Sequence, residues 1–302
     1  MSSQRRRRRR VRRFPRRLTL LLVTAASVSA LLAGCADSST PAGRLIAPAP
    51  STAAHVTVTD TPTGPCRLRP DGTNTGATGT RTAYRGTVLD NGVTLKDADA
   101  ASLDIKGSGV TVSNVAVAGD ILITGDHVTL DHVTTQGIAV SSGSDVTIRY
   151  TNIGFGTEDA IHLTSDRGSQ VTKVVLEYNY IHDPRVQPGS HYDGTQIRGA
   201  DGVSISCSTY DPGPYQPTFN AAIYLENANG GVRNVTIRNN WLYGFGFSLM
   251  LDATGTTITG NEIGGDIKWG DCYLNKDTPP DSITASGNHD EAGKPVAVCA
   301  NR

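Results

Sequence analysis

The chain has 302 residues, of which 28 are basic and 28 acidic, so its formal charge is zero. That balance hides a split: residues 1–34 carry ten arginines and no acid, and the rest holds 18 basic residues against 28 acidic, a net of −10. A body this acidic excludes the electrostatic footprint of a nucleic-acid binder, and no nucleic-acid partner is expected. The arginines crowd residues 5–17, and the apolar run from Leu18 to Ala33 that follows is short for a membrane span and ends in small residues, which is the pattern of a secretory signal peptide.

The end of that run, Leu32-Ala33-Gly34-Cys35, resembles the lipobox of bacterial lipoproteins, in which the cysteine is acylated and becomes the first residue. The resemblance implies a signal peptide over 1–34, a lipid on Cys35 and attachment to the extracytoplasmic face of a bacterial cell membrane; an ordinary signal with a chance cysteine is the alternative. Arg12-Arg13-Phe14 admits twin-arginine export, but any arginine run produces such a pair, so the export route stays open. Residues 35–63 are rich in Ser, Thr, Ala and Pro and read as a flexible tether. The remaining 64–302, about 240 residues, suffice for one domain, expected to be monomeric. Besides Cys35 there are Cys66, Cys207, Cys272 and Cys299, an even set that suggests disulfides in an oxidising compartment. Cys272 and Cys299 share the C-terminal end and are expected to pair. Cys66 reaches Cys207 only if the N-terminal segment runs along the fold; otherwise Cys207 is a buried thiol.

From Gly86 onward, short β-branched runs alternate with Gly, Asp and Asn turns, and no segment has a helical period. Four segments stack: Asp159 to Leu163, Asp193 to Ile197, Ala221 to Leu225 and Phe247 to Leu251. Each leads to a second run: Val174 to Glu177, Val203 to Ser206, Val235 to Arg238 and Thr256 to Thr259. An irregular repeat made of strands predicts an all-β solenoid. One outward column, Ser113, Asp131, Arg149, Glu177, Ser206, Arg238, Thr259, alternates in sign at its centre and reads as a solvated face. A second column, Asn179, Ser208, Asn240 and Asn261, lies two residues before the apolar Ile181, Tyr210, Leu242 and Ile263. Side chains stacked there can satisfy the backbone groups that a bend leaves open.

With that column the chain resembles the right-handed parallel β-helix proteins of the pectin-lyase-like superfamily, over roughly Gly86 to Ala285. The resemblance implies a single right-handed parallel β-helix with N- and C-terminal capping segments. It implies little about activity, because lyases, hydrolases, epimerases, phage tailspikes and proteins without a reaction share the fold.

Two turns are long, 182–192 and 209–220, and both precede strands of the first set, so they are expected to wall one groove. If Ile161, Leu163, Ile197, Ile223, Leu225, Leu249 and Leu251 point inward, then His162, Gln196, Tyr224 and Met250 point out, with Thr164, Arg198, Glu226 and Asp252 beside them. Asp159 and Asp193 stand at the strand entrances, with His191 just before. The expected catalytic groups are His191, Asp193, Arg198 and His162; the expected substrate-binding groups are Gln196, Tyr224, Glu226 and Asp159. Each also has a structural reading: exposed strand residues for His162 and Gln196, a cross-rung ion pair for Arg198 and Glu226, turn caps for the two aspartates.

A lyase acting on a uronic-acid polymer needs a partner for the carboxylate, a base and help for the leaving oxygen. Arg198 or a bound Ca2+ suits the first, and His162, His191, Lys173 or Tyr224 the second. A hydrolase needs two carboxylates, for which Asp159 with Asp193 or Glu226 with Asp252 are the adjacent-rung pairs. The chain lacks the Asn-x-Asp, Asp-Asp and Gly-His-Gly segments of polygalacturonases and the arginine-rich pattern of pectate lyases, so elimination on an extracellular polysaccharide is favoured only in general form. Zinc is not expected, since no close His/Cys cluster occurs, and no cofactor is required beyond Ca2+ as an option. A glycan-binding module without turnover, using Tyr192, Tyr215 and Tyr224, is the competing class.

Overall fold

The computed structural model describes residues 65–300. The expected signal peptide over 1–34, the expected lipidation at Cys35 and the expected tether all fall on residues outside those described. The chain winds as a single right-handed parallel β-helix with no α-helix among the described residues and one 3-10 turn at Pro280–Ser282. Its first face is a nine-stranded parallel sheet: Val88–Leu89, Leu103–Ile105, Asp120–Ile123, Gly137–Ser141, Ile161–Thr164, Tyr192–Arg198, Phe219–Glu226, Phe247–Leu251 and Gly270–Leu274. The second and third faces are continuous in the early coils, where Thr94–Ala100, Thr111–Val117 and Val128–Thr135 pass through the corner. Later coils split there, as in Val171–Glu177 followed by Tyr180–His182.

The corner between those faces is made by one left-handed residue per coil. Asp97, Asn114, His132, Tyr150, Tyr178, Cys207 and Asn239 hold φ between 49° and 54°. Such backbone is costly for bulky side chains, and the last coils use Gly260 at this position instead. The strain is offset by the residue that follows. Asn179, Asn240, Asn261 and Asn288 each accept a backbone N–H from the preceding coil, those of Thr151, Ser208, Asn240 and Asn261, at 2.9–3.0 Å. Each also donates its amide to a carbonyl of that coil, Ile148, Ile205, Ile237 and Ile258, at 3.0 Å. Ser208 takes the acceptor role for Asn179 N–H at 3.1 Å. The expected ladder is present and extends by one rung, through Asn288.

The stacking expected from the sequence matches the register: Ile161 faces Thr195, Asp193 faces Ala221, Ala221 faces Phe247, and Val203 faces Val235. Ile161, Leu163, Ile197, Ile223, Leu225, Leu249 and Leu251 are all in the core. Each such side chain contributes roughly 1.5–3 kcal/mol of apolar burial, before conformational entropy is subtracted. The charged column is also in register, and Arg149 pairs with Asp131 at 2.8 Å.

Both disulfides form, Cys272–Cys299 and Cys66–Cys207. The second is possible because residues from Cys66 onward run along the left-handed corner, against the direction in which coils are added. Arg67 N–H reaches the Tyr178 hydroxyl at 3.4 Å, Gly76 N–H the Tyr150 carbonyl at 2.8 Å and Thr78 N–H the Asn114 side chain at 2.7 Å. Under this strap His132, Tyr150 and Tyr178 stack, with ring centroids 4.9 and 5.0 Å apart.

Candidate active site

The two long turns sit at one corner, each bringing the chain from the third face back to the first: Tyr180–His182 leads to Tyr192–Arg198, and Thr209–Asp211 to Phe219–Glu226. Strand parity then sets the outer column. His162 stands beside Gln196, Gln196 beside Tyr224, Tyr224 beside Met250 and Met250 beside Tyr273. A parallel column holds Thr164, Arg198 and Glu226.

Asp193 does not join that outer surface. It has the inward parity of Thr195 and Ile197, and its side chain is 0% exposed. It lies at the rim of the core, where the register between Tyr192 and Asp193 shifts. One carboxylate oxygen is saturated, accepting Asn220 Nδ2 and Ala221 N–H at 2.9 Å each. The other, Oδ2, is buried without a hydrogen-bond partner and lies 3.9 Å from His191 Nε2. Asp159, on the coil before, accepts Asp193 N–H through Oδ1 at 2.8 Å, while its Oδ2 lies 3.9 Å from His162 Nδ1. Burial pushes both acids up from the ordinary carboxylate value, Asp193 more strongly, with like charge from Asp159 adding to its burial. The turn-cap reading of the aspartates is therefore right for one oxygen of each; the second oxygen of Asp159 faces His162, and that of Asp193 is left without a hydrogen-bond partner.

His162 is half-buried, and burial lowers its pKa below the ordinary histidine value, against the pull of Asp159. Its Nε2 is buried without a partner. A neutral imidazole carries one unprotonated ring nitrogen, which is a proton acceptor. Arg198 pairs with Glu226 across one rung, Nε to Oε2 at 2.8 Å, as the structural reading expects. The contact is one of charge and not a hydrogen bond, since Arg198 Nε is buried without a hydrogen-bond partner. Gln196 is nearly buried and reaches Glu226 at 3.5 Å. Tyr224 is kept as a phenol by burial and by the acids around it, Glu226 first.

Three expected groups fall elsewhere. Tyr192 is a core residue, 2% exposed and stacked on Phe245, because its strand places it in the apolar interior. Lys173 is on the second face, in Val171–Glu177, and belongs to a different surface. Asp252 is held by Asn275 and Thr278 at 2.9 and 3.1 Å, so the Glu226–Asp252 pair is not an open dyad.

Other groups were not anticipated. A cavity of about 250 Å³ opens beside His162 and is lined also by Asp120, Glu158 and Asp159. Asp120 is raised by burial and by Glu158. It comes from a coil whose sequence, Asp120–Ile123, looks like any other strand start. Further along the same face, Phe247, Trp269 and Tyr273 form an aromatic strip, with Trp269 and Tyr273 50% and 46% exposed. Gly246 lies under Trp269: a Cβ there would meet the indole carbons at 2.1 and 2.2 Å and the Asn220 carbonyl at 2.8 Å. A glycine beneath a tryptophan of the next coil has no local sequence signal.

No protein-family model matches the chain, and no curated protein matches it in sequence. Solved structures do resemble it. The Azotobacter vinelandii mannuronan C-5 epimerase AlgE6 A-module has a TM-score of 0.52 and 16% identity over 68% of this chain and 58% of that one. The alginate lyase from Paenibacillus sp. str. FPU-7 has a TM-score of 0.47 and 16% identity over 68% and 88%. The catalytic unit of the GH87 α-1,3-glucanase from Streptomyces thermodiastaticus strain HF3-3 gives 0.46 and 13% over 68% and 50%. The chain thus spans less than two thirds of the epimerase module and of the glucanase unit. At these identities the likeness is one of fold, and the fold it supports is the parallel β-helix.

Proposed function

We propose that the first face takes an extracellular polysaccharide containing uronic acid and cleaves it by β-elimination. The observation that carries this reading is His162: a buried, unpartnered Nε2 at the edge of a cavity, one rung from Gln196 and Arg198. In this scheme Arg198 meets the uronate carboxylate, which acidifies the neighbouring C–H. The imidazole of His162, a third exposed, accepts that proton on its unprotonated ring nitrogen, the C–H electrons form the new double bond, and the glycosidic oxygen departs with the proton of Tyr224. His162 and Tyr224 are two rungs apart, roughly 10 Å at about 4.8 Å per rung, with room for a sugar between them. The aromatic strip from Phe247 to Tyr273 continues the same face and offers apolar rings to further sugars. The epimerase module, whose named substrate is mannuronan, supports a polysaccharide as ligand.

Hydrolysis is the second reading, favoured by Asp120, Glu158 and Asp159 around one cavity. The purified chain incubated with a uronan and neutral-glucan panel separates the cases. Elimination yields unsaturated uronides, seen by ultraviolet absorbance, together with reducing ends. Hydrolysis yields reducing ends alone, and a binding module yields neither. For the lyase, His162→Ala reduces turnover by at least about 100-fold. Full turnover in that variant, or reducing ends without ultraviolet absorbance, would falsify elimination by His162.

The site is proposed to work at the extracytoplasmic face of the membrane, tethered by acyl chains on Cys35. Two or three chains give stable attachment where one is marginal. A Cys35→Ala chain that fractionates with membranes and migrates like the parent would remove the anchor from this picture.

A further inference from the structure

The corner behind His162 holds a donor set that elimination by His162, Arg198 and Tyr224 does not use. Asp159, His191 and Asp193 each offer one ligand atom, and these atoms all lie within 4.8 Å of one another. They come from two coils and one long turn, with His191 and Asp193 only two residues apart and Asp159 one coil before. We propose that Asp159, His191 and Asp193 bind a single divalent transition cation, of which Zn2+ is the test case. The proposal deepens the reading of the first face and rests on the same site.

Three features argue for a built site. First, Asp193 Oδ2 is fully buried, has no hydrogen-bond partner and lies 3.9 Å from His191 Nε2. An isolated carboxylate oxygen in that position costs several kcal/mol unless a proton or a cation compensates it. Second, the remaining oxygens are already fixed. Asn220 Nδ2 and Ala221 N–H hold Asp193 Oδ1, and Asp193 N–H holds Asp159 Oδ1. This is the outer-shell arrangement that orients metal-binding carboxylates and leaves one oxygen of each to coordinate. Third, the donors are mixed. One imidazole and two carboxylates match Zn2+ or Mn2+ better than Ca2+, which takes oxygens alone. Three protein ligands leave a fourth position for water or for a uronate oxygen. A cation there would supply the carboxylate neutralisation that Arg198, paired with Glu226, supplies only in part.

The donors must close by about an ångström to reach metal–ligand distances of roughly 2.0–2.2 Å. His191 can make that movement, because its side chain is 64% exposed and follows the turn at Gly189.

The test is a calorimetric titration of Zn2+ into the chelator-stripped protein, with bound metal measured independently by elemental analysis. The expected result is one Zn2+ per chain. His191→Ala and Asp193→Asn should each weaken binding by at least about 10-fold, in line with losses seen on disturbing a metal shell. His127→Ala, far from the cluster in an exposed pair with Asp145, should bind as the parent does. Asp193 is buried and its variant can fail to fold; His191→Ala, on an exposed side chain, still decides the matter. The proposal is overturned if no stoichiometric binding occurs, if His191→Ala binds like the parent, or if Ca2+ at equal concentration displaces Zn2+. A chain that binds Zn2+ as described but leaves every uronan intact overturns the lyase reading and not this one. A lyase that binds no Zn2+ does the reverse.

Discussion

Two buried polar clusters occupy two corners of the same β-helix and are built on opposite terms. At the corner between the second and third faces, the asparagine ladder leaves little open. Asn240 accepts Ser208 N–H and donates to the Ile205 carbonyl, and Asn261 repeats the pattern one coil on. At the corner leading into the first face, Asp193 Oδ2 and His162 Nε2 are buried and unpartnered. Both corners take groups out of water, but only the first returns hydrogen bonds to its stacked amides, Ser206 Oγ and Thr209 Oγ1 beside the ladder being the exceptions. The first corner serves stability, and the second holds chemical potential that a substrate or a cation can use.

The contrast is broken most directly at the ladder. Asn240→Ala should give the largest stability loss, since Ser208 N–H and the Ile205 carbonyl lose their partner at about 1–3 kcal/mol each. At roughly 2–4 °C per kcal/mol for a domain of this size, the melting temperature should drop by several degrees. A calorimetric scan checks this, and an unchanged melting temperature would show that water replaces the ladder at no cost.

At the other corner the signs should invert. His162→Phe removes a buried, unsatisfied nitrogen, so the melting temperature should hold or rise while uronan turnover drops by at least about 100-fold. Loss of both would place His162 among the structural groups. Trp269→Ala sharpens the boundary of the site. The indole lies on the aromatic strip and away from the acid and base groups, so KM should rise by about 10-fold with kcat little altered. Equal losses in kcat and KM would move it into the chemistry.

Asp120→Asn probes the cavity by pH. The folded-state pKa of Asp120 is raised by burial and by Glu158 above the ordinary 3.8. Below that value the acid is protonated in both folded and unfolded chains, so the parent and the variant differ little for this reason. As pH rises through the raised folded value, ionising Asp120 costs the folded state more than the unfolded one. The relative stability of Asp120→Asn should therefore grow and then level off. Melting curves of both proteins across pH check this; a constant difference would mean that the carboxylate is unperturbed. The smallest effect is expected on the second face. Arg149→Ala breaks a half-exposed pair with Asp131 and should change stability by about 1 kcal/mol, with turnover unaffected.

The sequence by itself determined the repeat, the inward apolar columns, the asparagine ladder and the outward row His162, Gln196, Tyr224. All of these depend on alternation along a strand and on a constant step between coils, which are local rules. It also located the corner with the long turns, because insertions into a tight repeat show as extra residues. The tertiary structure decided what the register and the folded turns impose. It turned Tyr192 into the core, moved Lys173 to another face and sent Asp252 to Asn275 and Thr278. It joined Cys66 to Cys207 by laying the N-terminal segment across the coils between them. It also placed Asp120 by Glu158 and left one buried oxygen of Asp193 without a partner beside His191 and Asp159. Those residues are brought together by coil stacking and by the path of one turn. Asp120 and Glu158 are remote in the chain, and although His191 and Asp193 are neighbours in sequence, the burial of Asp193 and its unpartnered oxygen depend on distance in space, which strand alternation does not encode.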